Sequence, residues 1–148
     1  MKKEFIADIM VALIFMMLLY ASFSKYVDFA GYQRAMHNQP FPSWFSDALV
    51  FVLPPMEIIV AILLAIDKTK VTGLKATVGL MTAFTLYIVA ILLHLFPMVP
   101  CTCGGIIRLM SWPQHLLFNL FFIAIAIIAL KITVENQPNK SYQIRSSQ

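Results

Sequence analysis

The stretch FIADIMVALIFMMLLYASF, residues 5–23, is almost entirely apolar and contains a single charged residue, Asp8. A helix of about 20 apolar residues crosses the hydrocarbon core of a bilayer, which is about 30 Å thick. Three further apolar runs of similar length follow, at about 44–66, 74–96 and 112–132. With 60% hydrophobic and 12% charged residues, the 148-residue chain has the composition of an integral membrane protein. We therefore predict an all-α membrane protein, a bundle of four transmembrane helices within residues 1–132.

The segments between the apolar runs have features of connectors at a membrane interface. Residues 24–43 contain charged and aromatic side chains and two prolines, which predicts an ordered loop. Residues 67–73 form a short polar connector. Ser111-Trp112-Pro113-Gln114 has the pattern of a capping box with proline in the first turn, and it predicts the start of the fourth helix. Residues 133–148 are polar without an apolar period, so we expect a flexible cytoplasmic tail.

The basic residues predict the orientation of the bundle. Cytoplasmic connectors of membrane proteins carry an excess of lysine and arginine. Of the eleven basic residues, eight fall on the side of the N terminus (Lys2, Lys3, Lys68, Lys70, Lys75, Lys131, Lys140 and Arg145) and three on the other side (Lys25, Arg34 and Arg108). We therefore expect both termini in the cytoplasm and residues 97–111 outside, in the periplasm of a bacterial inner membrane. Because the net charge of +4 lies in connectors, it indicates topology and a lipid bilayer as partner, and no nucleic acid.

Both cysteines of the chain lie in Pro100-Cys101-Thr102-Cys103-Gly104-Gly105. Two thiols separated by one residue close on each other only in a tight turn, and the two glycines supply the backbone freedom for it. A strained disulfide is easy to reduce, and a loop this small restricts the unfolded chain little. A helix beginning near Gly104 and the charge of Arg108 would stabilise a thiolate. We predict that Cys101 and Cys103 form a reversible redox pair.

A glutamate in the second apolar run is the first of several polar candidates. Glu57 follows Pro54 and Pro55 by one turn, and a carboxylate at membrane depth is costly enough to suggest a function. A structural alternative is that Glu57 caps backbone groups freed by the prolines or pairs with Lys25. We expect some polar partner for it in either case.

Two histidines and an asparagine flank the cysteine segment. His94 falls in the expected last turn of the third helix and His115 in the first turn of the fourth, where each is a candidate base or proton carrier or a contact to lipid headgroups. Asn119 follows His115 by four residues and so lies on the same helix face one turn deeper. Arg108 is either an interface anchor or a source of positive charge. We expect Lys25, Glu57, His94, His115 and Asn119 to converge at one level near the outer face.

Three short motifs in these positions resemble the MauE/DoxX family of redox-associated membrane proteins. They are Ser24-Lys25-Tyr26-Val27-Asp28-Phe29, Leu53-Pro54-Pro55-Met56-Glu57 and Cys101-Thr102-Cys103-Gly104-Gly105. The chain departs from the family pattern at Gly104, where an aromatic residue is usual, and at Phe118, where we would expect an arginine before Asn119. The resemblance implies thiol-disulfide chemistry outside the cytoplasm, linked in the MauE branch to maturation of a disulfide-rich enzyme subunit. The DoxX branch is associated with quinone-linked oxidation of sulfur compounds, which makes quinone a candidate cofactor.

Three function classes remain open from the sequence. The first is thiol-disulfide exchange, in which the cysteines pass electrons between an exported or thioredoxin-like protein and a membrane acceptor such as a quinone. The second is binding or transport of Cu(I) or Hg(II), for which Cys101, Cys103, Met98 and His94 are the soft or borderline ligands. The third is a non-catalytic subunit of a membrane or secretion complex. Replacing both cysteines distinguishes the third class from the other two, because a scaffold should survive the change.

Overall fold

The computed structural model describes residues 2–95 and 111–145, with side chains for 3–95 and 111–136. This part of the chain is all-α and holds five helices. In chain order they are α1 (Lys2–Val27), α2 (Phe29–His37), α3 (Ser43–Ala65), α4 (Lys70–Leu92) and α5 (Trp112–Arg145).

Four of these helices are long and apolar enough to cross a membrane: Lys3–Val27, Ser43–Ala65, Lys70–Leu92 and Trp112–Asn136. At 1.5 Å per residue, a helix of 23 residues such as α3 is about 35 Å long, enough for a hydrocarbon core of about 30 Å. The predicted fold class, a bundle of four transmembrane helices, is confirmed.

The first connector contains a helix, although the sequence predicts an ordered loop there. Helix α1 continues to Val27, and α2 starts almost immediately after it. The Asp28 side chain makes this restart possible, because its Oδ1 accepts the backbone N–H of Gly31 at 3.0 Å and so caps α2. As a result, Lys25 lies in the last turn of α1 and not beyond it.

Helix α4 ends earlier than expected, at Leu92 in place of residue 96. The helix ends in a Schellman turn, in which the N–H of Leu95 donates to the carbonyl of Ala90 at 3.1 Å and the N–H of His94 to that of Ile91 at 2.9 Å. His94 occupies the left-handed position of this turn, with a φ of 56°. It therefore lies past the helix, where we had expected it in the last turn.

Helix α5 continues past residue 132, where we expected a tail, and ends at Arg145. The sequence has no glycine after Gly105 to end the helix. Just after residue 132, the Thr133 hydroxyl donates to the carbonyl of Ala129 at 2.7 Å, which is compatible with a continuing helix.

The four long helices form a closed ring in the order α1, α3, α4, α5, because α1 and α4 each pack against both α3 and α5. Helix α2 packs mainly on α3. At the end of the bundle where α1 begins, which we call the terminal end, all four long helices share one apolar core. Its buried members are Val11, Ile14, Leu18, Val60, Ala61, Leu64, Leu74, Ile125, Ala126 and Ala129.

Gly73 is needed for the close packing at the terminal end. A Cβ at this position would lie 2.9 Å from the backbone nitrogen of Leu64, closer than real Cβ contacts. Glycine therefore allows α4 to approach the backbone of α3, next to the short connection between the two helices. The terminal end is tightly packed, which leaves the opposite end of the bundle as the place for a site.

The orientation predicted from the basic residues can be tested by thiol labelling. We expect a membrane-impermeant thiol reagent to label reduced Cys101 or Cys103 in intact spheroplasts, because residues 97–111 are assigned to the outside. A matched control is Lys68→Cys in a chain whose own cysteines are alanine, since Lys68 is exposed at the α3–α4 connection. This control should react only after lysis. The reverse pattern would overturn the orientation.

Candidate functional site

A buried ion pair joins α1 to α3 near the end of the bundle opposite the terminal end. The Nζ of Lys25 lies 2.8 Å from Oε1 and 2.9 Å from Oε2 of Glu57, and it also donates to the carbonyl of Ala21 at 3.2 Å. The two side chains are 6% and 4% exposed. An ammonium group has three N–H donors, and these three acceptors match that number. The prediction that Glu57 has a polar partner, with Lys25 as one candidate, is confirmed.

Next to this pair, a hydrogen bond from α1 reaches the proline turn of α3. Pro54 and Pro55 lie inside α3 and cannot donate the N–H groups that a helix normally uses. The Ser22 hydroxyl of α1 is fully buried and donates to the carbonyl of Pro54 at 2.9 Å. A carboxylate cannot donate to freed carbonyls, and Glu57 is bound to Lys25. The alternative in which Glu57 compensates for the prolines is thus not what the structure shows.

The first turns of α5 contribute two buried polar side chains to the same region. His115 and Asn119 are 5% and 3% exposed, and they lie one turn apart on the same face, as the spacing predicts. The start of α5 is fixed by Gln114, whose Oε1 accepts the N–H of Ser111 at 2.9 Å, the reciprocal bond of a capping box. The Nδ2 of Asn119 has no hydrogen-bond partner among the described residues.

Helix α2 and the residues after it cover this region. The Tyr32 hydroxyl donates to the carbonyl of Leu49 at 3.3 Å, and the ring of Tyr32 lies 5.9 Å from the Nζ of Lys25. Gln39 is buried, donates to the carbonyl of Ala35 at 3.0 Å, and accepts a short hydrogen bond from the Tyr87 hydroxyl of α4. These bonds connect the cover to both α3 and α4.

Together these elements enclose a cavity of about 460 Å³. Its wall includes the polar side chains of Lys25, Glu57, His115 and Asn119. Most of the remaining wall is apolar or aromatic and comes from α1, α3, α4 and α5, with Met17, Leu53, Met81, Phe84, Phe118 and Trp112 as examples. The cavity is in the size range of about 300–1,000 Å³ that is typical of small-molecule sites, and such sites combine an apolar wall with a few polar groups.

The structure brings together four of the predicted polar residues, Lys25, Glu57, His115 and Asn119. It does not bring His94 to them, because the Schellman turn leaves this side chain exposed and outside the cavity wall. The other predicted site residues, Cys101, Cys103, Arg108 and Met98, lie outside the described residues.

Several cavity residues were not predicted from the sequence. Tyr32, Gln39, Tyr87 and Trp112 all line the cavity. Tyrosine and tryptophan near a helix end are usually interface anchors, so their presence in the sequence does not indicate a cavity wall. Gln39 was the available signal, because an amide just before Pro40 and Phe41, in a connector next to an apolar run, must find hydrogen-bond partners if it is buried.

The arrangement favours binding of a neutral molecule. The charges of Lys25 and Glu57 compensate each other, so the cavity wall carries no net charge from this pair. Within residues 2–95 and 111–145, no group of three histidine, cysteine, aspartate or glutamate side chains is placed to hold a metal ion. The chemistry of the described wall is that of hydrogen bonds to an uncharged ligand.

The fold and this site define a class, a multi-pass membrane protein with a mostly apolar cavity near one end of a four-helix bundle. The family model described as "Methylamine utilisation protein MauE" matches residues 2–132, which include all four spans almost completely. The chain therefore belongs to the MauE family, and the family resemblance seen in the motifs is confirmed. No curated protein and no solved structure matches the chain.

Proposed function

We propose that the protein is a thiol-disulfide redox protein of the bacterial inner membrane. It exchanges electrons between the thiols of an exported or thioredoxin-like partner and a membrane acceptor through Cys101 and Cys103, on the periplasmic side. Membership of the MauE family supports this proposal, because the family resemblance implies thiol-disulfide chemistry outside the cytoplasm.

The observation that carries the proposal is the place of the cavity along the chain. Both cysteines lie on the segment that joins Leu92 of α4 to Trp112 of α5. Tyr87, in the last turns of α4, and Trp112 both line the cavity, and their rings are 6.5 Å apart. The two helix ends that the cysteine segment connects therefore lie at the end of the bundle where the cavity is.

The proposed reaction is exchange through a mixed disulfide. A partner thiolate attacks the Cys101–Cys103 bridge, one sulfur of the bridge leaves as a thiolate, and the second partner thiolate releases the oxidised partner. The cysteine pair has then gained two electrons and two protons, which pass to the membrane acceptor when the bridge forms again. The same steps in reverse reduce a partner disulfide.

The polar residues have supporting roles in this proposal. His115 and Glu57 are the groups of the cavity that can carry protons, and Lys25 holds the Glu57 carboxylate in place. Arg108 is proposed to stabilise a thiolate in the cysteine segment. His94 lies outside the cavity wall and is given no part in the cavity.

Trapping in cells tests the proposal. We expect either Cys101→Ala or Cys103→Ala to accumulate a mixed disulfide with an exported protein, because the remaining cysteine can attack but the second thiol needed for release is missing. After acid quenching and alkylation, the adduct should appear as a band that disappears on reduction. The matched control is the double alanine variant, which should give no adduct.

The other two function classes predict different results. If both single variants reach the membrane and neither forms a reducible adduct, the exchange proposal fails and a scaffold role is favoured. If the wild-type thiols bind Cu(I) tightly and never oxidise, the metal-binding hypothesis replaces it.

A further inference from the structure

The cavity wall is mostly apolar and contains a few polar side chains, a combination that would suit a lipid-soluble ligand. Three residues of its wall on α3 and α4, Met56, Ala83 and Phe84, keep part or most of their surface exposed, and we call them the rim. All three lie near the middle of their helices, at a depth where the surroundings are acyl chains. A ligand entering here would come from the bilayer and not from water.

In the cavity wall one buried hydrogen-bond donor lacks an acceptor. The side-chain N–H₂ of Asn119 is at the cavity wall, its residue is 3% exposed, and Nδ2 has no partner among the described residues. Leaving such a buried donor unsatisfied is destabilising. Lys25 does not compete for a ligand, because its N–H groups have acceptors in Glu57 and Ala21. The free group therefore calls for an uncharged acceptor such as a carbonyl oxygen.

The aromatic side chains of the wall narrow the ligand further. Phe84, Tyr87, Trp112 and Phe118 all line the cavity. Aromatic rings pack well against a flat conjugated ring, whereas the ester of a fatty acyl chain offers a carbonyl without such a ring. The Glu57 carboxylate also keeps lone pairs beyond its bonds to Lys25, so a hydroxyl on the reduced form of the ligand has an acceptor in the same cavity.

We propose that this cavity binds the ring of a lipid-soluble quinone, with Asn119 donating to a ring carbonyl and the isoprenoid tail leaving between α3 and α4. In naming the electron acceptor, this inference builds on the proposed function. The thiols would lose two electrons and two protons on forming the disulfide, and the quinone would take up both to become a hydroquinone. Binding itself rests on the cavity and needs no cysteine.

Tryptophan fluorescence provides the test, because the chain has two tryptophans and one of them lies at the cavity. The other, Trp44, is 70% exposed, so Trp44→Phe leaves Trp112 as a single reporter. The experiment uses this variant with both cysteines replaced by alanine, purified in detergent and titrated with decylubiquinone. We expect saturable quenching, with a Kd that increases about tenfold on Asn119→Leu, as the loss of one buried hydrogen bond predicts.

Two matched variants complete the experiment. Ser46 is also a buried residue whose side-chain oxygen lacks a described partner, but it does not line the cavity, so Ser46→Ala should leave the Kd unchanged. Ala83→Phe narrows the rim without burying a polar group and should also weaken binding, which keeps the test valid if Asn119→Leu does not fold.

Two results would contradict quinone binding in this cavity. Quenching that increases linearly and equally in all variants would mean that the quinone only dissolves in the micelle. Equal competition by methyl decanoate, which has a carbonyl and no ring, would assign the cavity to acyl lipids. Because the cysteines are absent from this experiment, either result refutes the quinone site and leaves the thiol-exchange proposal to the trapping experiment.

Discussion

Replacement of Glu57 by leucine is expected to destabilise the bundle by about 3–5 kcal/mol, the usual cost of removing one partner of a buried ion pair. The loss leaves the Lys25 ammonium buried, with the Ala21 carbonyl as its remaining hydrogen-bond acceptor among the described residues. The free energy of unfolding, measured by titrating SDS into mild detergent micelles, reports the effect directly.

Two controls test whether the loss of stability comes from breaking the buried ion pair. The double variant Lys25→Met with Glu57→Leu should recover most of the lost stability, because an apolar pair of similar volume replaces both charges. Asp8→Ala removes an ion pair to Lys70 in which Asp8 is 64% exposed, and such pairs contribute about 0–1 kcal/mol. If Glu57→Leu were as mild as Asp8→Ala, the buried pair would not be important for stability.

Loss of either cysteine is expected to abolish the redox couple of the protein completely. Equilibration of the purified wild type with a series of glutathione buffers should show one two-electron transition with a midpoint above about −300 mV. The midpoint potentials of structural disulfides are lower than this value. The small ring closed by Cys101 and Cys103 is the reason for this high potential, because strain favours the reduced form. Alkylation of the free thiols followed by mass measurement gives the reduced fraction at each potential.

Cys101→Ala and Cys103→Ala should each show no intramolecular transition in the same buffers. Trp44→Phe, an exposed change far from both cysteines in sequence, serves as the matched control and should titrate like the wild type. A wild-type midpoint below about −300 mV would identify a structural bridge and contradict the proposed exchange.

The parts of this protein that the sequence predicts well are those where the membrane leaves few choices. Four long apolar runs must be spanning helices, and a glutamate among them must find a polar partner, so the fold class follows, and Lys25 is one of the partners that the sequence offers. The helical spacing of His115 and Asn119 likewise places them on one face.

The parts that the sequence does not predict depend on local backbone geometry. Pro97 suggests a helix end near residue 96, but the left-handed conformation of His94 ends α4 earlier, and glycine is the residue that usually marks such a turn. Helix α2 depends on one capping bond from Asp28. The unsatisfied Asn119 amide depends on how four helices pack, and no pattern within α5 encodes that arrangement.

The Lys25–Glu57 pair also has a consequence for biosynthesis. A charged residue in the middle of an isolated helix adds about 2.5–3.5 kcal/mol to the cost of its insertion into the bilayer. Glu57 lies in the middle part of α3, and its partner reaches it from the last turn of α1, so α3 does not hide its charge until both helices are inserted and docked. A chain with α1 missing or misoriented would keep an unpaired Glu57 carboxylate in contact with lipid. The ion pair thereby couples correct insertion of the first half of the protein to its stability.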